Sequence, residues 1–304
     1  MFNFGVPSAD LTFTFERVHD RTKKLILSPF DNEKSGHVTE VPLFRADEDI
    51  RGKLIVKVNS SKRLEHSGLT LEILGFIKAQ GDHKAGHEFT KCSRELQSSG
   101  NVIEGNENFA FDFAHVDMPH DSYYGRSVEL RYVLRATLSR GKYASSVVLE
   151  QDVWIQHVAP SPPLNGSIKM EVGIEDSLHI EFEYDKSHYH LEDVVIGKIS
   201  FQLMRIKIKH MELAILRREG VGSGPQQHSG RDTITKFEVM DGAPSKGGSI
   251  PVRMYLAPYT LTPTYHNVQN QFSVKYFLNL VLVDEEDRQY FKQQEITLWR
   301  KTVG

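Results

Sequence analysis

Cysteine is almost absent. Cys92 stands alone among 304 residues, so no disulfide within the chain is possible. Tryptophan is scarce too, limited to Trp154 and Trp299. No apolar run approaches the roughly 18 residues of a membrane-spanning helix. The opening, MFNFGVPSADLTF, lacks the basic start and apolar stretch of a secretory signal. These absences predict a soluble protein in the reducing cytoplasm. Asn59 and Asn165 then match the glycosylation signal only by chance. Neither sign of charge dominates, since 37 basic and 40 acidic residues leave a net charge of −3. That balance gives no reason to expect nucleic acid or a bulk anionic membrane as partner. An apolar helical stripe longer than about two turns is missing as well.

What the chain does have is alternation. Leu11, Phe13 and Phe15 alternate with polar residues, as do Leu54, Val56 and Val58, then Phe109, Phe111 and Phe113. Residues 69–77, 128–138 and 147–155 extend the pattern. After the midpoint come 178–184, 194–203, 206–216, 233–240, 274–283 and 290–299. A period of two, rich in Val, Ile, Phe and Tyr, marks half-buried antiparallel strands. Residues 221–231 read as a polar, glycine-rich loop, 241–248 as a turn cluster, and 284–287 as an acidic hairpin turn. Residues 158–172, VAPSPPLNGSIKMEV, hold Pro160, Pro162 and Pro163 ahead of Asn165-Gly166. Proline removes an amide donor and disfavours helix before it. This is a connector, and it divides the chain into residues 1–157, a connector at 158–171, and residues 172–304.

The halves carry a faint internal repeat. Gly52-Lys53-Leu54 returns as Gly197-Lys198-Ile199, and LTLEILG from Leu69 as MELAILR from Met211. Arg131-Tyr132-Val133-Leu134 returns as Lys275-Tyr276-Phe277-Leu278, and Gln151-Asp152-Val153 as Gln294-Glu295-Ile296. The order is kept and the offset stays between 142 and 145. An all-β chain of two duplicated sandwiches is expected, each burying the inner faces of two sheets.

Catalytic chemistry has little foothold. His188 and His190, with Asp185 and Asp193 near, are the best metal candidate, yet no third ligand suggests itself. Cys92 has only His87 close in sequence. Gly220, Gly222 and Gly224 lead into Pro225-Gln226-Gln227 rather than a phosphate-binding helix. Asp284-Glu285-Glu286-Asp287 lacks the alternating ligands and central glycine of a calcium loop. Arg205, Lys207 and Lys209 read as one polar strand face that could meet phosphates. No enzyme, metal or cofactor is expected. Recognition through strand edges and loop tips remains, with Val239-Met240 ahead of DGAPSKGG as an apolar pair open to either a core or an anchor role.

Several stretches resemble a known family. Lys62-Arg63-Leu64-Glu65-His66, IKMEVGIED from Ile168, LHIEFEY from Leu178 and FSVKYFLNLVLVDEEDRQYFKQQEI from Phe272 are similar to the arrestin-fold retromer subunit, the vacuolar protein sorting 26 family. The resemblance implies two arrestin-like β-sandwiches and a non-enzymatic coat subunit retrieving receptors from endosomes to the Golgi and plasma membrane. It implies a cytoplasmic protein, held peripherally on endosomal membrane through its partners. It implies docking on the retromer α-solenoid subunit through Val239, Met240, Asp241 and Gly242. It further implies a groove shared with a sorting nexin, where cytosolic tails of cargo receptors meet Val172, Tyr290 and Phe291. Arg45-Ala46-Asp47 and the amino terminus depart from the family pattern. An arrestin-like receptor or ubiquitin-ligase adaptor is the alternative, although no PPxY motif is present.

Overall fold

The computed structural model describes residues 9–16, 23–27, 38–59, 63–80, 86–141, 144–160, 162, 165–174, 176–222 and 228–301, without the side chains of 25–27 and 38. Among the described residues there is no helix. The chain divides into two compact units, Met1–His157 and Val158–Gly304.

The first unit runs β1 (Ala9–Phe15), β2 (Lys23–Leu27), β3 (Val38–Arg45), β4 (Ile50–Val58), β5 (Leu64–Glu65), β6 (Gly68–Ala79), β7 (His87–Gln97), β8 (Val102–Ile103), β9 (Asn106–Phe113), β10 (Tyr123–Tyr124), β11 (Val128–Ser139) and β12 (Val147–Gln156). One sheet orders β1-β4-β9, and the other β2-β3-β12-β11-β6-β7, with β10 beside β11. Alternation sets the inner faces. Ile50, Leu54, Val56 and Val58 are buried on β4, while Leu71 and Ile73 on β6 lie opposite Ala136 and Leu134 on β11. Each such aliphatic side chain contributes roughly 1.5–3 kcal/mol on burial.

The second unit repeats the plan with β13 (Ile168–Ile174), β14 (Leu178–Tyr184), β15 (His188–His190), β16 (Val194–Met204), β17 (Ile208–Val221), β18 (His228–Asp241), β19 (Ser249–Tyr255), β20 (Tyr265–Val268), β21 (Phe272–Asp284) and β22 (Gln289–Trp299). Its sheets order β13-β14-β16-β19 and β15-β22-β21-β17-β18, with β20 beside β21. Met211, Leu213 and Ile215 on β17 register with Leu282, Leu280 and Leu278 on β21, and all six are buried.

The duplication is visible atom by atom. A short strand runs parallel to the last long strand in both units, β3 beside β12 and β15 beside β22. Tyr132 Oη donates to the His120 carbonyl at 2.9 Å, and Tyr276 Oη accepts from the Thr262 amide at 3.1 Å. Ser122 Oγ accepts from the Ile155 amide and Thr264 Oγ1 from the Leu298 amide, both at 2.9 Å. Arg131 pairs with Asp152 at 2.8 Å and Lys275 with Glu295 at 3.3 Å. At Gly52 a β-carbon would stand 2.8 Å from the Phe111 ring, and at Gly197 the same distance from the Tyr184 ring. Glycine is therefore required at both so that an aromatic ring from the next strand can cover the backbone.

Four expectations change. Ile168 to Glu171, placed in the connector by sequence, belong to β13 and pair with β14. Described residues of the remainder are tied down: the Ala159 amide donates to the Arg300 carbonyl at 2.9 Å. Asn165 Oδ1 accepts from the Ser187 and His188 amides while its Nδ2 donates to the His188 carbonyl. The 221–231 loop is shorter than expected, because β18 starts at His228 and pairs back to Val221, and residues 223–227 lie outside the described residues. Arg205, Lys207 and Lys209 do not share a strand face, since β17 begins only at Ile208. Lys207 and Lys209 instead pair with Glu285 at 3.6 Å and Asp287 at 3.0 Å. Strands β7 and β19 were not foreseen: both are edge strands, β7 largely exposed and polar, and β19 short with Pro251 inside it, a residue that argues against a strand in sequence. Residues 1–8 of the divergent amino terminus, Lys62 and Pro163 lie outside the described residues.

Gly197→Ala is expected to destabilise the protein by about 1–3 kcal/mol, the range for overpacked sites. Its new methyl would meet both the Tyr184 ring and the Glu183 carbonyl oxygen, the latter at 2.9 Å. Equilibrium denaturation followed by fluorescence checks this, and an unchanged transition would show that the ring is free to withdraw.

Candidate interaction surfaces

Two surfaces of the second unit carry the residues singled out from sequence. The first is the end of β18. This is the outer strand of its sheet, bonded only to β17. Met240 registers with buried Met211 and Phe237 with buried Leu213, so both point to the sandwich side of the sheet. Val239 is skipped in the register, because Met211 faces Met240 and Glu212 faces Glu238. It is the extra residue of a β-bulge, a device that twists an edge and re-aims a side chain. Ile234 is the extra residue of a second bulge on the same strand. Val239 and Met240 are half-buried, whereas Phe237 is 42% exposed. The strand ends at Asp241, and Gly242 follows at φ +98°, a conformation that favours glycine. The Gly242 amide donates to the Lys209 carbonyl at 2.7 Å, fixing the turn against the start of β17.

The second surface is the opposite side of the unit. Here β13 ends its sheet, and β15 covers β22 only at Thr297, Leu298 and Trp299. Among the described residues no strand pairs with the outer edge of 289–296. Strands β13 and β22 approach each other along this side. Val172 shares a rung with buried Ile180 and so faces inward, half-buried. Tyr290 shares a rung with Leu282 and also faces inward, whereas Phe291, opposite Val281, faces out and is 65% exposed. The three residues thus border one side but present different faces. On Phe291's face, Asn279 is buried and its Oδ1 has no protein partner.

The acidic turn beside this surface is structural. Asp284 Oδ1 accepts from the Glu286 and Arg288 amides, and Oδ2 from Arg288 Nε at 2.7 Å and Tyr290 Oη at 2.9 Å. Burial alone pushes the Asp284 carboxyl up, but these donors outweigh it and hold the pKa at about 2.

The other sequence candidates are accounted for by local bonds. His188 Nδ1 meets Ser187 Oγ at 2.8 Å, and His190 Nδ1 accepts from the Glu192 amide. Asp185 accepts from Tyr189 Oη, and Asp193 pairs with Lys186 at 2.8 Å. Cys92 lies opposite Ile73 on the edge strand β7, half-buried. Arg45 clasps Asp47 through Nε and Nη2, and the Ala46 amide donates to the Gln156 carbonyl at 2.9 Å, so the departure at 45–47 is a turn held against the end of β12. Phe237 was missed. Plain alternation would place it on one face with Val239, and only the bulge puts it beside Met240.

Two β-sandwich units with guarded and open strand edges define an all-β, arrestin-like protein. A family model described as vacuolar protein sorting-associated protein 26 matches residues 6–287. The chain is 50% identical over 294 residues to vacuolar protein sorting-associated protein 26B of Arabidopsis thaliana, covering 97% of this chain and 95% of the relative. It is 48% identical over 302 residues to vacuolar protein sorting-associated protein 26 of Dictyostelium discoideum, covering 99% and 84%. It is 52% identical over 260 residues to the human 26B protein, covering 85% and 76%. The chain belongs to the vacuolar protein sorting-associated protein 26 family, and is a protein-sorting component.

Because the Asp284 pKa is depressed below the ordinary carboxylate value, its stabilisation is full above about pH 5 and is lost as pH falls through about 2. Asp284→Asn should therefore melt below wild type at neutral pH, with the gap closing between pH 4 and pH 2. Melting temperatures across that range check it. A constant gap would mean that shape rather than charge holds the turn.

Proposed function

We propose that the chain is a non-enzymatic retromer subunit that sorts receptors at endosomal membrane, which it reaches through its partners. Val239, Met240, Asp241 and Gly242 dock on the α-solenoid subunit. Val172, Tyr290 and Phe291 border the site where a sorting nexin and a cargo-receptor tail meet the second sandwich. The carrying observation is the contrast between the two sides of that sandwich. On one, a bulged edge carries a half-buried apolar pair just ahead of a glycine turn. On the other, the outer edges of β13 and of residues 289–296, which no strand among the described residues pairs, lie beside an exposed phenylalanine.

The contrast suits two binding modes. A bulged edge resists an added strand, so the β18 end works through side chains. Val239 and Met240 are already half-buried, so each would contribute only about half of the roughly 1.5–3 kcal/mol of a fully exposed side chain when a partner covers it. An open edge accepts a strand, with main-chain bonds for affinity and neighbouring side chains for selectivity. A cargo tail entering as a strand fits the β13–β22 side.

Val239→Asp combined with Met240→Asn is expected to abolish co-purification with the solenoid subunit while circular dichroism stays unchanged. Binding that persists in the double variant would remove the β18 end from the interface. Phe291→Asp, at a solvent-facing position, should leave the melting temperature unchanged and weaken capture of a cargo-tail peptide in the presence of the sorting nexin. Equal capture by wild type and variant would exclude Phe291 from the cargo site.

A further inference from the structure

The outer face of the four-stranded sheet in the second unit, opposite the face that Val172 turns inward, carries a further group. Glu171 on β13 and Glu181 on β14 stand directly opposite each other, and the next rung along that face is Gly173 opposite His179. Two carboxylates and one imidazole therefore converge, each offering a ligand atom within 4.8 Å of the other two.

Three features single this rung out. Like charges directly across an antiparallel pair are destabilising, yet among the described residues neither glutamate has a lysine or arginine at ion-pair distance. The neighbouring rung shows the ordinary solution, with Lys169 opposite Glu183 at 3.5 Å. Lys169 and Lys198 line the same recess without pairing with either glutamate, and among the described residues the cationic group at ion-pair distance from Glu181 is His179, whose Nε2 stands 3.6 Å from Oε1. Second, the register of β14 with β16 slips between His179 and Ile180, making Gln202 the extra residue of a bulge. Its Nε2 donates to the second oxygen of Glu181 at 3.3 Å, orienting the carboxylate whose other oxygen faces the histidine. Third, residue 173 is glycine, which leaves the imidazole uncovered on that side; a β-carbon there would stand 3.8 Å from His179 Nδ1.

We propose that Glu171, His179 and Glu181 bind a zinc ion. One imidazole and two carboxylates suit zinc, and three protein ligands leave a fourth position for water. Tetrahedral ligands at about 2.0–2.2 Å from zinc stand about 3.4 Å apart, a closure that small rotations of these open side chains supply. The ion cancels the like-charge rung and cross-links the edge strand β13 to β14. Gln202 acts from behind as the partner that orients a ligand. The site is open to solvent, so the metal exchanges with the medium. This assignment does not depend on the sorting role.

The test is a zinc titration of the purified full chain after chelator treatment, read by calorimetry and by a competing chromogenic chelator. One zinc per chain is expected, unaffected by excess magnesium. His179→Ala and Glu171→Gln should each remove it, at positions exposed enough to leave the circular dichroism unchanged. Gln202→Ala should weaken binding by about tenfold, as loss of an orienting partner does. His188→Ala with His190→Ala should retain full binding, which separates this site from that histidine pair. Zinc should also slow hydrogen exchange of β13 and β14 amides in wild type but not in His179→Ala. No zinc uptake, or equal uptake by wild type, His179→Ala and Glu171→Gln, overturns the proposal.

Discussion

A sandwich of antiparallel sheets must end each sheet somewhere, and each end bares a row of amides and carbonyls that water or another chain will satisfy. The second unit treats its ends in two ways. On β18, two bulges break the regular row and charged residues such as Lys236 and Glu238 interleave with the apolar ones. On the opposite side, β13 and most of β22 keep a plain, unbulged edge. Stability alone favours guarding both. The edge left regular is the one suited to receiving a strand, and the guarded edge is suited to display of side chains.

Duplication explains why the arrangement is available. Both units hang the same bonds on one scaffold, a tyrosine tied to the preceding loop and a hydroxyl of Ser122 or Thr264 tied to the last long strand. Those shared bonds set the position of β12 and β22 alike. What differs lies at the edges. The first unit ends one sheet in the charged β7, while the second ends the corresponding sheet in β18 with its apolar pair and glycine turn. The common framework fixes strand order, and edge residues are free to diverge toward partners.

Sequence revealed the framework well and the edges poorly, for a physical reason. Central strands bury one face and so write their period into the chain, as Leu54, Val56 and Val58 do. Edge strands such as β7 bury little and leave no such trace. Bulges change which residues share a face without changing composition, so Phe237 could not be grouped with Met240 from spacing. Register across strands is equally hidden. Glu171, His179 and Glu181 are brought together by pairing and by an intervening turn, and no linear motif announces them. Pattern singled out Val239 and Met240, and family resemblance supplied their docking role together with Val172, Tyr290 and Phe291, but not that Val172 and Tyr290 face inward while Phe291 faces out.

The start of β17 joins the two sides of the second sandwich. The Lys209 carbonyl accepts the Gly242 amide, and its Nζ pairs with Asp287 at 3.0 Å. The Lys207 carbonyl accepts the Glu285 amide in the same turn. Asp284, one residue earlier, holds Tyr290 through its phenol and so sets the start of β22, where Phe291 follows. Turns that would otherwise fray are thereby pinned to a central strand whose neighbours are buried. Side chains on both sides are then already in place, an arrangement that keeps the ordering entropy lost in any binding event small. The acidic turn and the lysines facing it, which in sequence suggested calcium and phosphate, are better understood as the brace that holds both surfaces ready.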